Sequence, residues 1–137
     1  MAEDLPLILI ADDDPDLRRL VRLNLETTSC RIIEASDGAN TIEQIALNHP
    51  DLIVLDVMMP ELTGWEILRY LRTHRDKDLA STGVLMLTGI GETLNELSSP
   101  MYGADDYIDK PFKAQELLFK VRRVLSKTRR RKQDSAQ

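Results

Sequence analysis

Short, continuous apolar runs alternate along this chain with segments in which apolar residues recur at helical spacing. A continuous apolar run predicts a strand buried on both faces, and recurrence at every third or fourth residue predicts a helix that covers it. Strict alternation of the two patterns predicts a doubly wound α/β domain in which five helices flank a five-stranded parallel sheet. The predicted strands are Leu7–Ala11, Cys30–Ala35, Leu52–Leu55, Val84–Leu87 and Tyr107–Ile108.

Residues that commonly cap helices stand at the start of the first two helical segments. Asp14 and Pro15 follow the first strand, and an aspartate N-cap with proline at the first helical position is a typical helix start. Asp37 occupies the equivalent place after the second strand. Because proline removes a backbone hydrogen bond inside a helix, Pro100 is predicted to end the fourth helix one or two residues earlier. The remaining helices are predicted from about Trp65 to Arg75, from near Glu92, and from about Ala114 to Lys127.

The length of the chain and the distribution of its charge predict one domain followed by a basic segment. The chain has 137 residues, which suits a single hydrophobic core. We assign residues 1–126 to the domain and residues 127–137 to a basic tail or linker. Residues 1–126 hold 13 Lys and Arg against 22 Asp and Glu, a net charge of −9. An acidic body is poorly suited to binding nucleic acid, so this domain is predicted to make no direct nucleic-acid contact.

Three further features predict a cytoplasmic protein without membrane contact. No apolar run approaches the length that crosses a bilayer. The acidic start of the chain, Met1–Asp4, lacks the pattern of a signal peptide. Cys30 is the only cysteine, so the chain cannot form an internal disulfide.

Polar side chains follow four of the predicted strands at the point where each strand ends. Asp12 and Asp13 follow the first strand, Asp56 the third, Thr88 the fourth, and Lys110 comes just after the fifth. The carboxyl ends of parallel strands meet at one edge of the sheet, which is where such folds bind ligands. These side chains are therefore expected to lie close together.

Carboxylates that converge in one cleft repel each other and would prefer to keep protons. A magnesium ion relieves that repulsion, because it prefers oxygen ligands. One carboxylate can then act as a nucleophile toward phosphorus and form an acyl phosphate. A lysine ammonium and a threonine hydroxyl are suitable partners for the phosphoryl oxygens. The sequence thus predicts phosphoryl transfer at this edge of the sheet.

Four sequence blocks, in order and at these spacings, resemble the receiver domain of two-component response regulators over about residues 5–126. This resemblance identifies residues 1–126 as a receiver, or phosphoacceptor, domain. It implies a flavodoxin-like fold with the strand order 2-1-3-4-5. The blocks are Ile8–Pro15, Asp56–Pro60 with Leu62 and Gly64, Leu87–Gly89, and Gly103–Phe112.

The resemblance implies a role for each acidic residue of the cluster. Asp56 corresponds to the phosphoacceptor. Asp12 and Asp13 correspond to the acidic pair that binds Mg²⁺, with Asp13 as a direct ligand and Asp12 acting through water. Met58 would contribute its backbone carbonyl to the metal. Mn²⁺ is an expected substitute for Mg²⁺.

The resemblance also implies a switch. Thr88 and Lys110 match the residues that contact the phosphoryl oxygens, and Tyr107 matches an aromatic switch residue. The Lys110–Pro111 peptide bond is expected to be cis, which only proline makes inexpensive. When Thr88 moves toward the phosphoryl group, Tyr107 would fill the space it leaves. The face formed by the fourth helix, the fifth strand and the fifth helix would then change.

The expected function is phosphorelay signalling. The donor would be a sensor histidine kinase or a histidine phosphotransfer protein, and the output domain or downstream partner is not specified by the sequence. The chain would catalyse only its own phosphorylation and dephosphorylation, and phosphorylation-dependent dimerisation is allowed. The three aspartates of the block that ends at Phe112, namely Asp105, Asp106 and Asp109, are interpreted as turn and solvent-facing residues.

Two other functions would use the same fold class. A flavodoxin-like cofactor-binding module needs a phosphate loop rich in Ser, Thr and Gly after the first strand, where Asp12–Asp14 would repel a phosphate. A magnesium-dependent aspartyl phosphatase typically carries a second aspartate two residues after its nucleophile, where this chain has Met58. The residues present therefore disfavour both alternatives.

Overall fold

A computed structural model describes residues 5–89 and 103–136 of the chain. Within these residues, five parallel strands form one sheet in the order β2-β1-β3-β4-β5. The predicted fold class and strand order are confirmed. The strands are β1 (Leu7–Ala11), β2 (Arg31–Ala35), β3 (Leu52–Asp56), β4 (Gly83–Thr88) and β5 (Asp106–Asp109).

Five helices flank the sheet within the described part of the chain. The predicted N-caps of the first two are confirmed: the Asp14 carboxylate accepts hydrogen bonds from the backbone of Asp16 and Leu17, and the Asp37 carboxylate accepts one from Asn40. The helices are α1 (Pro15–Leu25), α2 (Gly38–Asn48), α3 (Gly64–Arg72), α4 (Lys77–Ala80) and α5 (Ala114–Ala136). None of the helices in the described ranges is long and apolar enough to span a membrane.

The hydrophobic core lies on both faces of the sheet, because β1, β3 and β4 are buried on both sides. On one face, apolar residues of α2, α3 and α4 pack against Ile53, Leu55 and Met86. On the other face, α1 and α5 pack against Ile10 and Leu85. The strand order implied by the resemblance puts β2 at one edge of the sheet; the structure confirms this, and the residues of β2 are correspondingly more exposed.

Two helix predictions differ from the structure, and one lies outside it. The short helix α4 was not predicted, because four residues cannot show a helical repeat. The predicted end of the last helix near Lys127 is wrong, since α5 continues through Ala136. The helix predicted from near Glu92 and ended by Pro100 falls outside the described residues.

The boundary at residue 126, between the domain and a basic tail, stays a prediction, although the helix runs through it without a break. Lysine and arginine are good helix formers, so the basic composition of residues 127–132 does not stop a helix.

Candidate functional site

Three carboxylates meet at the carboxyl edge of the sheet. Asp56 is the last residue of β3, and Asp12 and Asp13 directly follow β1. Since β1 and β3 are paired neighbours, the two strands deliver their acidic ends to one place. One oxygen from each of the three carboxylates lies within 4.8 Å of the others. The predicted convergence of these residues is thus present in the structure.

Asp12 is the most buried member of this acidic cluster, with 1% of its surface exposed. Its Oδ1 accepts a hydrogen bond of 2.9 Å from the backbone N–H of Asp14. Its Oδ2 is buried and has no hydrogen-bond partner among the described residues. The pKa of Asp12 is raised to about 7, mainly by burial; the Asp14 hydrogen bond opposes this rise and the neighbouring Asp56 carboxylate adds to it. Asp12 therefore needs a nearby positive charge to remain ionised.

Lys110 brings such a charge into the acidic cluster. Its Nζ lies 2.9 Å from Asp56 Oδ1 and 4.0 Å from Asp12 Oδ2. The side chain reaches the cluster from the end of β5, where the Lys110–Pro111 peptide bond is cis, as expected. Asp56 Oδ1 also accepts a 3.2 Å hydrogen bond from the backbone N–H of Met58, whose side chain is exposed. The exposed Met58 side chain fits a role for its backbone only.

Gly64 fixes the turn that leads away from Asp56. A Cβ atom at this position would lie 2.7 Å from the Asp56 carbonyl oxygen and 2.9 Å from Val57 Cα. Both atoms belong to the backbone and cannot move aside, so a larger residue would push this turn out of place. The Gly64 N–H donates a 2.8 Å hydrogen bond to the Val57 carbonyl oxygen, which closes the turn beside the phosphoacceptor candidate.

Thr88 and Tyr107 lie on the last two strands, β4 and β5, and Thr88 is at the carboxyl end of its strand. Thr88 is fully buried at the end of β4, and its hydroxyl donates a 2.6 Å hydrogen bond to Asp109 Oδ1. Tyr107 is half-buried and packs against the core face formed with α2, α3 and α4. Burial raises the pKa of Tyr107, and the carboxylates of Asp106 and Asp105 raise it further. Both predicted switch residues lie on one face of the sheet, two positions apart in the register.

The solvent-facing interpretation of the three aspartates near β5 is wrong for Asp105 and Asp106 and incomplete for Asp109. The Asp106 side chain is only 14% exposed and pairs with Arg123. The Asp105 carboxylate is only 5% exposed and forms ion pairs with Arg72 at 3.1 Å and Arg131 at 2.8 Å. Asp109 is exposed, as predicted, but it accepts the Thr88 hydroxyl. The sequence shows only that Asp109 lies at a strand end; its pairing with Thr88 depends on the register of β4 against β5.

The acidic cluster fits a hard divalent cation. Its donors are carboxylate oxygens from Asp12, Asp13 and Asp56, which Mg²⁺ and Mn²⁺ accept. The buried Asp12 Oδ2 has no hydrogen-bond partner among the described residues, and a bound cation would compensate for this lack. Asp13 is exposed, so the cluster is open to solvent on one side. An open side suits a cation that keeps several water ligands.

Comparison with known proteins gives one consistent result. Residues 8–122 match the family described as response regulator receiver domain. The chain is 40% identical over 126 residues to the DNA-binding dual master transcriptional regulator RpaA of Synechocystis, which covers 92% of this chain and 52% of that protein. It is also 40% identical over 121 residues to the transcriptional regulatory protein SrrA of Staphylococcus aureus, which covers 88% of this chain and 48% of that protein. The chain thus spans about half the length of these relatives.

Solved structures of response regulators have a fold similar to that of this chain. The receiver domain of the Francisella response regulator 1452 superposes with a TM-score of 0.77 at 33% identity, over 90% of this chain and 98% of that chain. The chemotaxis response regulator CheY4 of Vibrio cholerae gives a TM-score of 0.78 at 28% identity, over 88% of this chain and 98% of that chain.

Proposed function

This chain belongs to the response regulator receiver family of two-component signal transduction, and from that premise we propose that Asp56 accepts a phosphoryl group. The proposed donor is a phosphohistidine on a sensor histidine kinase or a histidine phosphotransfer protein. A carboxylate oxygen of Asp56 bonds to phosphorus while the bond from phosphorus to the histidine nitrogen breaks. The released nitrogen keeps the electron pair and takes a proton from solvent. The product is an aspartyl phosphate.

The main support for this proposal is the position of Asp56 between the Lys110 ammonium group and the carboxylates of Asp12 and Asp13. The Lys110 ammonium lies 2.9 Å from Asp56 Oδ1, where it would neutralise charge on a phosphoryl oxygen. Phosphoryl transfer depends mainly on positioning and on such neutralisation. The Lys110 ammonium and the Met58 N–H both contact Asp56 Oδ1, and the other carboxylate oxygen, Oδ2, is proposed as the nucleophile.

Asp12, Asp13 and Asp56 are proposed to hold Mg²⁺, or Mn²⁺ in its place, with the Met58 backbone carbonyl as a further ligand. When bound, the cation would supply positive charge that offsets repulsion between the carboxylates and the incoming phosphoryl group. Asp12 and Asp13 orient this charge from β1, and Asp56 provides both a ligand and the reacting oxygen. Asp12 Oδ2 is buried and has no hydrogen-bond partner among the described residues, which supports this assignment.

The proposed output is a shift between two conformations. In the phosphorylated state, Thr88 and Lys110 contact the phosphoryl oxygens, and Tyr107 turns into the space that Thr88 leaves. Thr88 and Tyr107 lie on one sheet face, two register positions apart, which supports this coupling. The change would reach the face formed by the helix predicted after Glu92, β5 and α5. This face is also the proposed contact of a phosphorylation-dependent dimer.

We place this domain among signalling modules that act on themselves. It would catalyse its own phosphorylation and dephosphorylation and no reaction of a metabolite. RpaA and SrrA are named as transcriptional regulators, and this chain matches about half of each. By analogy, the state of Asp56 would be passed to another domain or partner that regulates transcription, with no direct nucleic-acid contact by residues 1–126.

Intact mass measurement tests the proposal. The protein is incubated with acetyl phosphate with and without Mg²⁺, beside the Asp56→Asn variant. We expect the wild type to gain the mass of one phosphoryl group only when Mg²⁺ is present, and the variant to gain none. Equal labelling of the variant would contradict the assignment of Asp56, and equal labelling without a divalent cation would contradict the role of the acidic cluster.

A further inference from the structure

The proposed function requires the Thr88 hydroxyl to reach a phosphoryl oxygen on Asp56, but this hydroxyl is already committed elsewhere. Thr88 Oγ1 donates to Asp109 Oδ1 at 2.6 Å. A threonine hydroxyl has one proton, so it cannot donate to Asp109 and to a phosphoryl group at once. The side chain is fully buried, and water cannot replace either acceptor easily. Thr88 must therefore exchange one acceptor for the other.

The backbone places these two residues side by side. Thr88 on β4 and Asp109 on β5 are partners in the parallel register, and both belong to the face that carries Tyr107. The backbone N–H of Lys110 donates a 2.7 Å hydrogen bond to the Thr88 carbonyl oxygen, which fixes the two strand ends together. The contact between Thr88 and Asp109 is thus built by the sheet and does not depend on a long, mobile side chain.

We propose that Asp109 is a positioning residue that holds Thr88 in the conformation of the unphosphorylated protein. This inference rests on the proposed function, in which Thr88 moves toward Asp56. A hydrogen bond from a hydroxyl to a carboxylate is stronger than one between neutral groups. Before phosphorylation, the Asp109 carboxylate is the charged acceptor that Thr88 uses. After phosphorylation, the phosphoryl group on Asp56 is a second charged acceptor. The Thr88 hydroxyl can then donate to either group at a similar free energy.

Asp109 would consequently set the equilibrium between the two Thr88 rotamers in the unphosphorylated protein. Without its carboxylate, the Thr88 side chain loses its acceptor and samples the rotamer directed toward Asp56 even in unphosphorylated protein. Tyr107, two positions away on the same face, would follow more often. Because a hydrogen bond to a charged group contributes on the order of a tenfold change in an equilibrium constant, we expect the population of the inward rotamer to rise about tenfold in Asp109→Ala.

The first experiment uses unphosphorylated full chain and NMR couplings that report the χ1 rotamer of Thr88. We expect one dominant rotamer in the wild type, averaging between rotamers in Asp109→Ala, and restoration of one rotamer in Asp109→Glu if the longer carboxylate reaches Thr88. The control is Glu43→Ala, which removes one exposed negative charge from α2. A single unchanged rotamer in Asp109→Ala would overturn the proposal, as would equal averaging in the control.

The second experiment tests whether Asp109 acts through Thr88. The amide resonance of Tyr107 is recorded in unphosphorylated wild type, Asp109→Ala, Thr88→Ala and the double variant, with beryllofluoride and Mg²⁺ providing the activated reference for the wild type. We expect Asp109→Ala to move the resonance toward the activated position, and to have no further effect when Thr88 is absent. An equal shift in both backgrounds would overturn the role of Thr88 as the intermediary.

Failure of this inference can be separated from failure of the proposed function. The rotamer measurement needs no phosphoryl group, whereas intact mass reports phosphorylation of Asp56 and does not depend on Asp109. If the protein is phosphorylated normally but Asp109→Ala keeps one Thr88 rotamer, the proposed function stands and the proposed role of Asp109 is wrong. If the protein is never phosphorylated but Asp109→Ala shows averaging between Thr88 rotamers, the role of Asp109 stands and the proposed signalling function is wrong.

Discussion

Asp12 is more buried than its neighbour Asp56, with 1% of its surface exposed against 3%. Its raised pKa reports the cost of keeping this carboxylate ionised away from water. Lys110 offsets part of that cost from 4.0 Å. A carboxylate in such surroundings lowers the stability of the metal-free protein, and a group that destabilises the fold marks a functional position.

We therefore expect Asp12→Asn to stabilise the metal-free protein by on the order of 1–3 kcal/mol, because the amide keeps the shape and the Asp14 hydrogen bond but removes the buried charge. The matched control is Asp13→Asn, which removes an exposed charge from the same acidic cluster and should change stability by less than about 0.5 kcal/mol. Urea unfolding measures both.

Mg²⁺ should stabilise the wild type against urea, because a ligand that binds only the folded state adds to its stability, and this gain should shrink in both variants. A metal-free Asp12→Asn protein that is less stable than the wild type would contradict this account of Asp12.

At the scale of residues, the sequence predicted the members of the site but not all of their partners. Asp12, Asp56 and Lys110 stand at strand ends, and parallel topology alone brings such residues to one edge. The acceptor of Thr88 could not be predicted in the same way. It depends on the register of β4 against β5 and on a side-chain rotamer, neither of which follows from apolar periodicity.

Helix α5 holds β5 through a series of basic side chains along one of its faces. Lys120 donates to the Tyr107 carbonyl oxygen, and Arg123 pairs with Asp106. One turn further on, Lys127 donates to the Asp105 carbonyl oxygen at 3.2 Å, and Arg131 pairs with the Asp105 carboxylate at 2.8 Å. These four basic residues recur every three or four positions, so they share a helix face. The segment predicted as a tail is thus docked on the domain.

Arg131 connects this docked segment to two parts of the domain, since it pairs with Asp105 and also donates to the Ser81 carbonyl oxygen at 2.9 Å. We expect Arg131→Gln to lower the free energy of unfolding by about 1–3 kcal/mol, because the nearly buried Asp105 carboxylate loses one of its two arginine partners in the described structure. Hydrogen exchange should also become faster in residues 127–136.

Arg130→Gln is the control for Arg131→Gln, because Arg130 is exposed and forms no ion pair within the described ranges. Its effect on unfolding should stay within about 0.5 kcal/mol. If both variants unfold at the same urea concentration and exchange alike, the docked arrangement of residues 127–136 is wrong.

Gly83 provides an independent test of the same docking. A Cβ atom at this position would lie 2.3 Å from Thr128 Oγ1 and 2.9 Å from Val124 Cγ1. We expect Gly83→Ala to destabilise the protein by roughly 1–3 kcal/mol through overpacking, and Thr128→Ala in the same chain to restore part of that loss. Thermal unfolding of the single and double variants measures this. An unaltered midpoint in Gly83→Ala would show that α5 does not pack against the start of β4.

At the scale of elements, hydrophobic runs predicted strands well because a buried parallel strand is apolar throughout. The end of α5 could not be predicted, because its last turns carry basic residues where a helix of this kind usually shows an apolar stripe. Their packing depends on the partners Asp105 and Asp78, which come from other parts of the chain. A run of basic residues that pairs with acidic residues elsewhere in the domain can continue a helix, whereas a run without such pairs stays a solvated tail.

Within residues 5–89 and 103–136, two polar clusters lie at opposite ends of the parallel strands. The carboxyl edge carries the acidic cluster and Lys110. The amino edge carries Asp105, with Arg72 and Arg131, where the docked end of α5 meets the residues that precede β4 and β5. Strand β5 runs between them, with Asp105 just before it and Lys110 just after it. The last turns of α5 therefore contact the segment that leads directly into β5.

Asp56 is proposed as the phosphorylated residue, and the acidic cluster around it is proposed to make the reaction possible. The most direct measurement is reduction of the labelled protein with borohydride, which converts an aspartyl phosphate to homoserine, followed by tandem mass spectrometry of its peptides. We predict homoserine at position 56 alone, and only after incubation with a phosphodonor and Mg²⁺. Homoserine at another aspartate, or equal conversion at Asp56 in an Asp12→Asn, Asp13→Asn double variant, would contradict the account.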